Sequence, residues 1–413
     1  MTDRPARTLA FLRAAALSFA AGLPMGGVYW ALDIRSPAPP LLGLTGLSGI
    51  VLGERAASAI RSRAGARTRV SRSAPSAAGL RPTHRTRSTT MTAPSDDVGL
   101  IDVHAHFVTD SYVRQARAAG HDKPDGVPAW PAWSAEAHLE LMDRSGIDTA
   151  VLSVSSPGVF FGDAEAARRL AREVNEDGAG IVRAHPGRFG LFASLPLPDV
   201  DGALTEIAYA FDVLGADGVV LEPNADGVYL GDERLQPVFA ELARREAVVL
   251  LHPTSPVCWQ QTALGRPRPM VGFIFDTART VTDLLFARTL ERHPELKVVV
   301  PHCGGALPVL ADRINGFLKL FTPAAQDVPD AVAQLRRLYY DVAGPAFPRQ
   351  VPALLGLADP ERLLYGSDYC WTPAPAAEAH AAAFTDAPAP VEGTTWRSIT
   401  TANARALFPR LAR

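Results

Sequence analysis

The chain has 413 residues, with 41 Lys and Arg against 43 Asp and Glu and a formal net charge of −2 at pH 7. Hydrophobic residues make up 47% of it, enough for a large core, and no basic excess favours a nucleic-acid partner. Its three cysteines, Cys258, Cys303 and Cys370, show no Cys-x-x-Cys spacing, which argues against a disulfide framework or structural zinc and for a reducing compartment.

From Ala14 to Leu32 the chain carries no charge, and after Asp33-Ile34-Arg35 a second uncharged stretch runs from Ser36 to Gly53. Each approaches the roughly 17–20 apolar residues that cross a bilayer, so a transmembrane hairpin is expected over residues 8–55, with membrane anchorage through 14–53. Arginines flank both outer ends, at Arg4, Arg7 and Arg13 and again from Arg55 onward, which puts both ends in the cytoplasm. A cleaved signal peptide is the competing reading. The run from Leu17 to Arg55, with Leu-Pro-Met-Gly-Gly-Val-Tyr-Trp-Ala-Leu-Asp-Ile-Arg at its centre, resembles the small XapX family of two-span bacterial membrane proteins. Residues 56–95, rich in Arg, Ser, Ala, Thr and Pro, are expected to form a flexible linker, because they cannot bury enough apolar surface to offset ordering. Met91 is a plausible alternative start, from which the product would be a soluble cytoplasmic enzyme.

Residues 96–413 alternate short β-branched runs with segments of helical period. Strands are expected near 99–107, 147–155, 188–196, 217–223, 247–253, 297–302, 338–343 and 362–367. Asp163 and Asp199 stand where helices should begin. Eight such units predict an α/β fold of the (β/α)8 TIM-barrel type. A doubly wound sheet is the alternative, disfavoured because no Gly-x-Gly-x-x-Gly follows the first strand.

Metal-ligand side chains fall at the strand ends: His104 and His106 in Ile-Asp-Val-His-Ala-His-Phe, His252 in Leu-Leu-His-Pro, His302 in Val-Pro-His-Cys-Gly-Gly, and Asp368 in Tyr-Gly-Ser-Asp-Tyr. Residues i and i+2 of a strand share a face, so His104 and His106 can reach one ion together. The C-terminal ends of barrel strands converge on the active site, so these five residues are expected to meet there. Three imidazoles and a carboxylate suit one divalent ion, zinc by preference with manganese as the alternative. Gly304 and Gly305 are read as allowing a ligand close to His302. Trp259, with Phe160 and Phe161, is a candidate aromatic lining for a substrate pocket. No lysine ends the fourth strand, where Glu222 stands in Leu-Glu-Pro-Asn, which disfavours a carbamate-bridged pair of metals; Glu222 itself is expected in a salt bridge on the rim, with a carboxylate added to the site as the alternative. His121, His138, His185 and His380 are not assigned to the metal.

The segments Phe-Asp-Thr-Ala-Arg-Thr-Val-Thr-Asp-Leu-Leu (275–285) and Leu-Glu-Arg-His-Pro-Glu-Leu-Lys-Val-Val-Val-Pro-His-Cys-Gly-Gly-Ala-Leu-Pro (290–308) resemble the amidohydrolase-related metal-dependent decarboxylases. These include aminocarboxymuconate-semialdehyde, gamma-resorcylate and 6-methylsalicylate decarboxylases. The resemblance covers nearly all of 100–410, and residues 131–143 with 150–158 are most similar to the 6-methylsalicylate branch. It implies His104, His106, His252 and Asp368 as metal ligands, with His302 and Asp368 catalytic. Arg313 is implied as an arginine that binds a substrate carboxylate in a neighbouring subunit, hence a homodimer. The implied reaction is non-oxidative decarboxylation of a small aromatic or conjugated carboxylic acid. Hydrolysis of a lactone, ester or amide is the alternative for the same ligand set, and a membrane-tethered scaffold with structural metal is a distant third.

Overall fold

The structure is a computed structural model and describes residues 98–323 and 327–411; the expected hairpin at 8–55 and linker at 56–95 lie outside these residues. Among the described residues no helix is long and apolar enough to cross a membrane.

Eight strands, β1 (Leu100–His106), β2 (Ile147–Ser153), β3 (Phe189–Ser194), β4 (Gly218–Leu221), β5 (Val248–Leu251), β6 (Lys297–Val300), β7 (Tyr339–Asp341) and β8 (Leu363–Leu364), pair in sequence order. Every neighbouring pair is parallel. The sheet closes on itself where Asp102 of β1 bridges Tyr365 just past β8, with the Val103 N–H donating to the Tyr365 carbonyl at 2.9 Å. The expected strands therefore fall where the β-branched runs placed them, and the fold is a TIM barrel. A short antiparallel hairpin, Asn224–Ala225 with Val228–Tyr229, leaves the mouth after β4.

The connecting helices begin at side-chain caps. Thr109, Ser134, Asp163 and Asp199 each accept from a backbone N–H at the start of α1 (Asp110–Ala118), α2 (Ala135–Ser145), α3 (Ala164–Ala184) and α4 (Val200–Tyr209). Each cap satisfies a donor that the first helical turn leaves unpaired, for about 1 kcal/mol. Later helices include α5 (Gln236–Arg244), α6 (Gly272–Phe286), α7 (Leu307–Phe321) and α8 (Trp396–Leu407).

Strand parity divides the core. Val151, Phe192, Val220, Val248, Leu250, Val299 and Leu364 point into the barrel with Ile101 and Val103, while Leu100, Ala105, Leu152, Leu191 and Val249 face the helices. The lower end is filled by Ala404, Leu407 and Phe408, the Phe408 ring standing 5.8 Å from that of Phe192. In β1 the inward set changes parity between Val103 and Ala105, where the pairing with β2 shifts register between Asp102 and Ala105. That irregularity lets Ile101 and Val103 fill the interior and still turns His104 and His106 inward above them.

Candidate metal centre and the cavity beside it

The same parity carries the polar side chains. His252 continues the inward row Val248–Leu250 of β5, and Asp341 ends β7 two residues beyond inward-facing Tyr339. At the C-terminal mouth His104, His106, His252 and Asp368 each offer a ligand atom, all within 4.8 Å of one another. The three imidazoles are fully buried or nearly so. Their rings pack edge to face, with centroids 5.0 Å apart for His104 and His106 and 4.7 Å for His106 and His252.

Hydrogen bonds fix two of these rings. Asp341 Oδ2 lies 2.8 Å from His104 Nδ1, and Ser153 Oγ lies 3.0 Å from His106 Nδ1. Both contacts hold the Nδ1 side and turn Nε2 toward Asp368, whose Oδ1 is 3.7 Å from His104 Nε2 and 3.3 Å from His106 Nε2. Neither Nε2 has a hydrogen-bond partner although both are buried. Two orphaned imidazole nitrogens converging with a carboxylate are what a divalent cation requires, and a buried carboxylate as outer partner of a ligand histidine is the usual support. The residues present fit a bound metal.

Electrostatics agree with a site built for positive charge. Burial alone would depress His104, but the Asp341 carboxylate against it raises it to about 9. Burial lowers His106 and His252, the latter far below the ordinary imidazole range. Burial also works against ionised Asp368, yet the adjacent imidazoles of His106 and His302 and the charge of His104 hold its carboxyl well below the usual range. Asp102, fully buried at the base of the cluster, is pushed up to about 7 by burial and accepts from the amides of His104 and Ser367.

His302 stands at the edge of this group. Its Nε2 is 3.8 Å from Asp368 Oδ2, its ring 5.0 Å from that of His104, and its backbone N–H donates to Asp341 Oδ1 at 3.0 Å. His302, Cys303 and Asp368 all adopt positive φ, 54°, 54° and 57°, conformations that cost non-glycine residues about 1–3 kcal/mol each. Gly304 and Gly305 serve a different purpose from the expected ligand approach. A Cβ on Gly305 would meet the Ile274 carbonyl at 2.7 Å, and one on Gly304 the Tyr340 ring at 3.1 Å, so these glycines let the His302 turn pack on α6 and β7.

Trp259, Phe160 and Phe161 all line a cavity of about 470 Å³ formed by the loops after β2, β3, β4 and β5. Glu222 lines it too, and it forms no ion pair among the described residues, so the expected rim salt bridge is not there. Arg313 lies on α7, exposed, with its guanidinium 4.7 Å above the Phe317 ring, and the structure does not bring it into this chain's own cluster. Cys303 and Cys370 are buried free thiols near the site, and Cys258 is exposed. Asp341 and Ser153 are the site residues that sequence reasoning missed, while His138, left off the metal in the sequence reading, lies outside the ligand cluster. His138 is buried beneath Asp368's neighbour Tyr369, ring centroids 4.7 Å apart, and accepts from Trp133 Nε1 at 3.1 Å; burial depresses it to about 3. Asp341 alone carried a signal, as an acidic residue closing the apolar run Leu-Tyr-Tyr-Asp-Val.

The sequence profile of the family described as Amidohydrolase matches residues 101–410, and that of a family of unknown function, DUF1427, matches residues 13–82. A 6-methylsalicylic acid decarboxylase, acuB of Aspergillus aculeatus, is 38% identical over 335 residues, covering 76% of this chain and 97% of the relative. A crystal structure named as an amidohydrolase II superposes with a TM-score of 0.69 at 36% identity, over 75% of this chain and all of that one. The manganese complex of 5-carboxyvanillate decarboxylase from Novosphingobium aromaticivorans shares the fold, with a TM-score of 0.68 at 21% identity over 78% of this chain and all of that one. The chain, matched by the Amidohydrolase profile over three quarters of its length and folded as a closed eight-stranded barrel with three histidines and an aspartate at its mouth, belongs to the amidohydrolase family.

Proposed function

We propose that this chain is a metal-dependent decarboxylase of the amidohydrolase superfamily that acts without redox chemistry on a small aromatic carboxylic acid of the 6-methylsalicylate kind. The observation that carries the reading is the convergence of His104, His106, His252 and Asp368 beside an aromatic-lined cavity, in a chain 38% identical to a 6-methylsalicylic acid decarboxylase. The decarboxylase expectation raised by the sequence motifs is borne out by that kinship.

In this reading the four clustered residues hold one divalent ion. When bound, such an ion supplies Lewis acidity that fixes and polarises a substrate oxygen. Three imidazoles and a carboxylate favour zinc on donor chemistry, and the manganese of the carboxyvanillate enzyme makes that ion the alternative. Asp341 and Ser153 orient His104 and His106. Asp368, held ionised, relays a proton between His302 and the carbon that bears the carboxyl group. That carbon gains the proton, its bond to the carboxyl carbon breaks, the electron pair returns to the ring, and carbon dioxide leaves. Trp259 lines the space for the ring.

A homodimer is proposed as well. Val309, Leu320 and Phe321 stand exposed on the helix that carries Arg313, which supports a second copy covering this face and receiving the arginine in its site. On the sequence alone, residues 14–53 are proposed to tether the catalytic unit, residues 96–413, to the cytoplasmic membrane through the 56–95 linker. Fractionation of cells making the full chain tests this, and recovery in the soluble fraction contradicts it.

The reading is tested by carbon dioxide release from 6-methylsalicylate with metal-loaded protein. Release is expected; hydrolysis of aryl esters or lactones with no carbon dioxide would assign the chain to a hydrolase.

A further inference from the structure

The cavity beside the metal ligands has a carboxyl group that no other side chain among the described residues satisfies. Its wall shares Pro157 and Thr254 with the surroundings of His252. Ser156, next to Pro157, directs its amide at His252 Nδ1 from 3.4 Å and shares a 2.7 Å hydrogen bond with Thr254 Oγ1. A ring held at the ligand cluster can therefore extend into this space, between the aromatic side chains of Phe160, Phe161 and Trp259.

Several polar side chains of the cavity are already engaged, while His121, Asp226 and Gln260, on its more open side, have no side-chain hydrogen bond among the described residues. Ser255 donates to Asp125, Arg268 Nε donates to Ser255 Oγ at 2.8 Å, and the Arg268 guanidinium lies 4.1 Å over Trp259. Asn224 donates to Asp276 at 3.1 Å and accepts from the Gly227 amide at 3.2 Å. Glu222 is the enclosed one without such a partner: its carboxyl group has no hydrogen bond or ion pair to another side chain among the described residues, only a backbone hydrogen bond within its own residue. It packs on the bare Cα of Gly158, where an added Cβ would lie 2.8 Å from its Cδ, and it lines the cavity, so a group entering the cavity can reach it. Burial lifts this carboxyl to about 7, consistent with an enclosed setting.

A flat ring filling the cavity would strip water from Glu222. An acid that offers nothing in return leaves that carboxyl unpaired, whereas one with a hydroxyl there pairs it. Sites built around such a group reject the analogue that lacks the hydroxyl far more strongly than an apolar pocket rejects an extra methylene.

We infer that Glu222 is a specificity-determining residue that receives a second ring hydroxyl of the substrate, so that the preferred acids are dihydroxylated aromatics rather than 6-methylsalicylate itself. This rests on the decarboxylase reading for the identity of the acid but not for the contact. The test compares 2,4-dihydroxy-6-methylbenzoate with 6-methylsalicylate, which differ by that hydroxyl alone, and their decarboxylation products orcinol and m-cresol. Metal-loaded full-length protein is used as wild type, Glu222→Gln and Glu222→Met.

Calorimetric binding of the two products decides the inference, independently of turnover. The expected result is tighter binding of orcinol by about tenfold or more in wild type. Glu222→Gln should retain most of that preference and Glu222→Met should abolish it, with kcat/KM for the two acids following the same order. Equal binding of orcinol and m-cresol by wild type, or a preference unchanged in Glu222→Met, would overturn it. Absence of carbon dioxide release with the orcinol preference intact would remove the decarboxylase reading and leave the Glu222 contact standing.

Discussion

Individual side chains at the mouth depend on partners one layer below them. Asp341 serves His104 Nδ1 and the amides of His302 and Ala343 with its two oxygens. Its replacement by alanine would leave a buried imidazole and two amides unpaired. Asp341→Ala is expected to lose about 3 kcal/mol of stability and 10–100-fold in metal affinity, measured by urea unfolding and metal titration. Unaltered affinity would mean that His104 is oriented by packing alone. Glu222 gives a prediction in pH. Its carboxyl titrates near 7 in the folded chain against 4.5 as its ordinary value. Between those values the folded state holds a proton that the unfolded chain has released, so stability falls as pH rises through that window. Glu222→Gln should therefore match wild type below about pH 4.5 and exceed it in Tm above pH 7; a constant difference across pH would contradict the assignment. The histidines and Asp368 were legible in the sequence because strand ends in a barrel converge. Asp341 and Ser153 were less so, since their role is a hydrogen bond across strands distant in sequence: Asp341 shows only as an acidic residue closing an apolar run, and nothing local in Val-Leu-Ser-Val declares Ser153.

Elements were easier to read than contacts. The eight β-branched runs gave strands in the expected places because a buried parallel strand needs little more than an apolar run bounded by caps and turns. Asp163 and Asp199 cap α3 and α4 as their positions promised. Three features escaped. The register shift in β1 depends on how β1 meets both β2 and β8, and no residue pattern within Ile-Asp-Val-His-Ala-His marks it. Gly304 and Gly305 were read for the ligand, but the approach they permit is that of α6 and β7. The C-terminal plug also took shape only in three dimensions, because α8 closes the barrel from the end opposite the site. Phe408→Ala, at that end, is expected to cost about 3–5 kcal/mol and lower Tm while leaving kcat near wild type. A large fall in kcat with Tm unchanged would show that the plug acts on the site, contrary to the layering described.

At the scale of the whole molecule, the barrel separates stability from chemistry. Apolar side chains fill the interior below His104 and His252, and the ligands, the strained turns and the aromatic cavity gather above it. Chelation should therefore abolish turnover while circular dichroism retains the barrel, and added zinc or manganese should restore it; loss of the fold with the metal would make the ion structural. The central claim is that Asp368, within the metal cluster and beside His302, carries the proton for decarboxylation. Carbon dioxide release from 6-methylsalicylate and 2,4-dihydroxy-6-methylbenzoate by metal-loaded wild type and Asp368→Asn tests it most directly. The account predicts release by wild type and a loss of 10²-fold or more in Asp368→Asn, the order of a missing acid or base, with the fold intact. Wild-type rates in Asp368→Asn would contradict it.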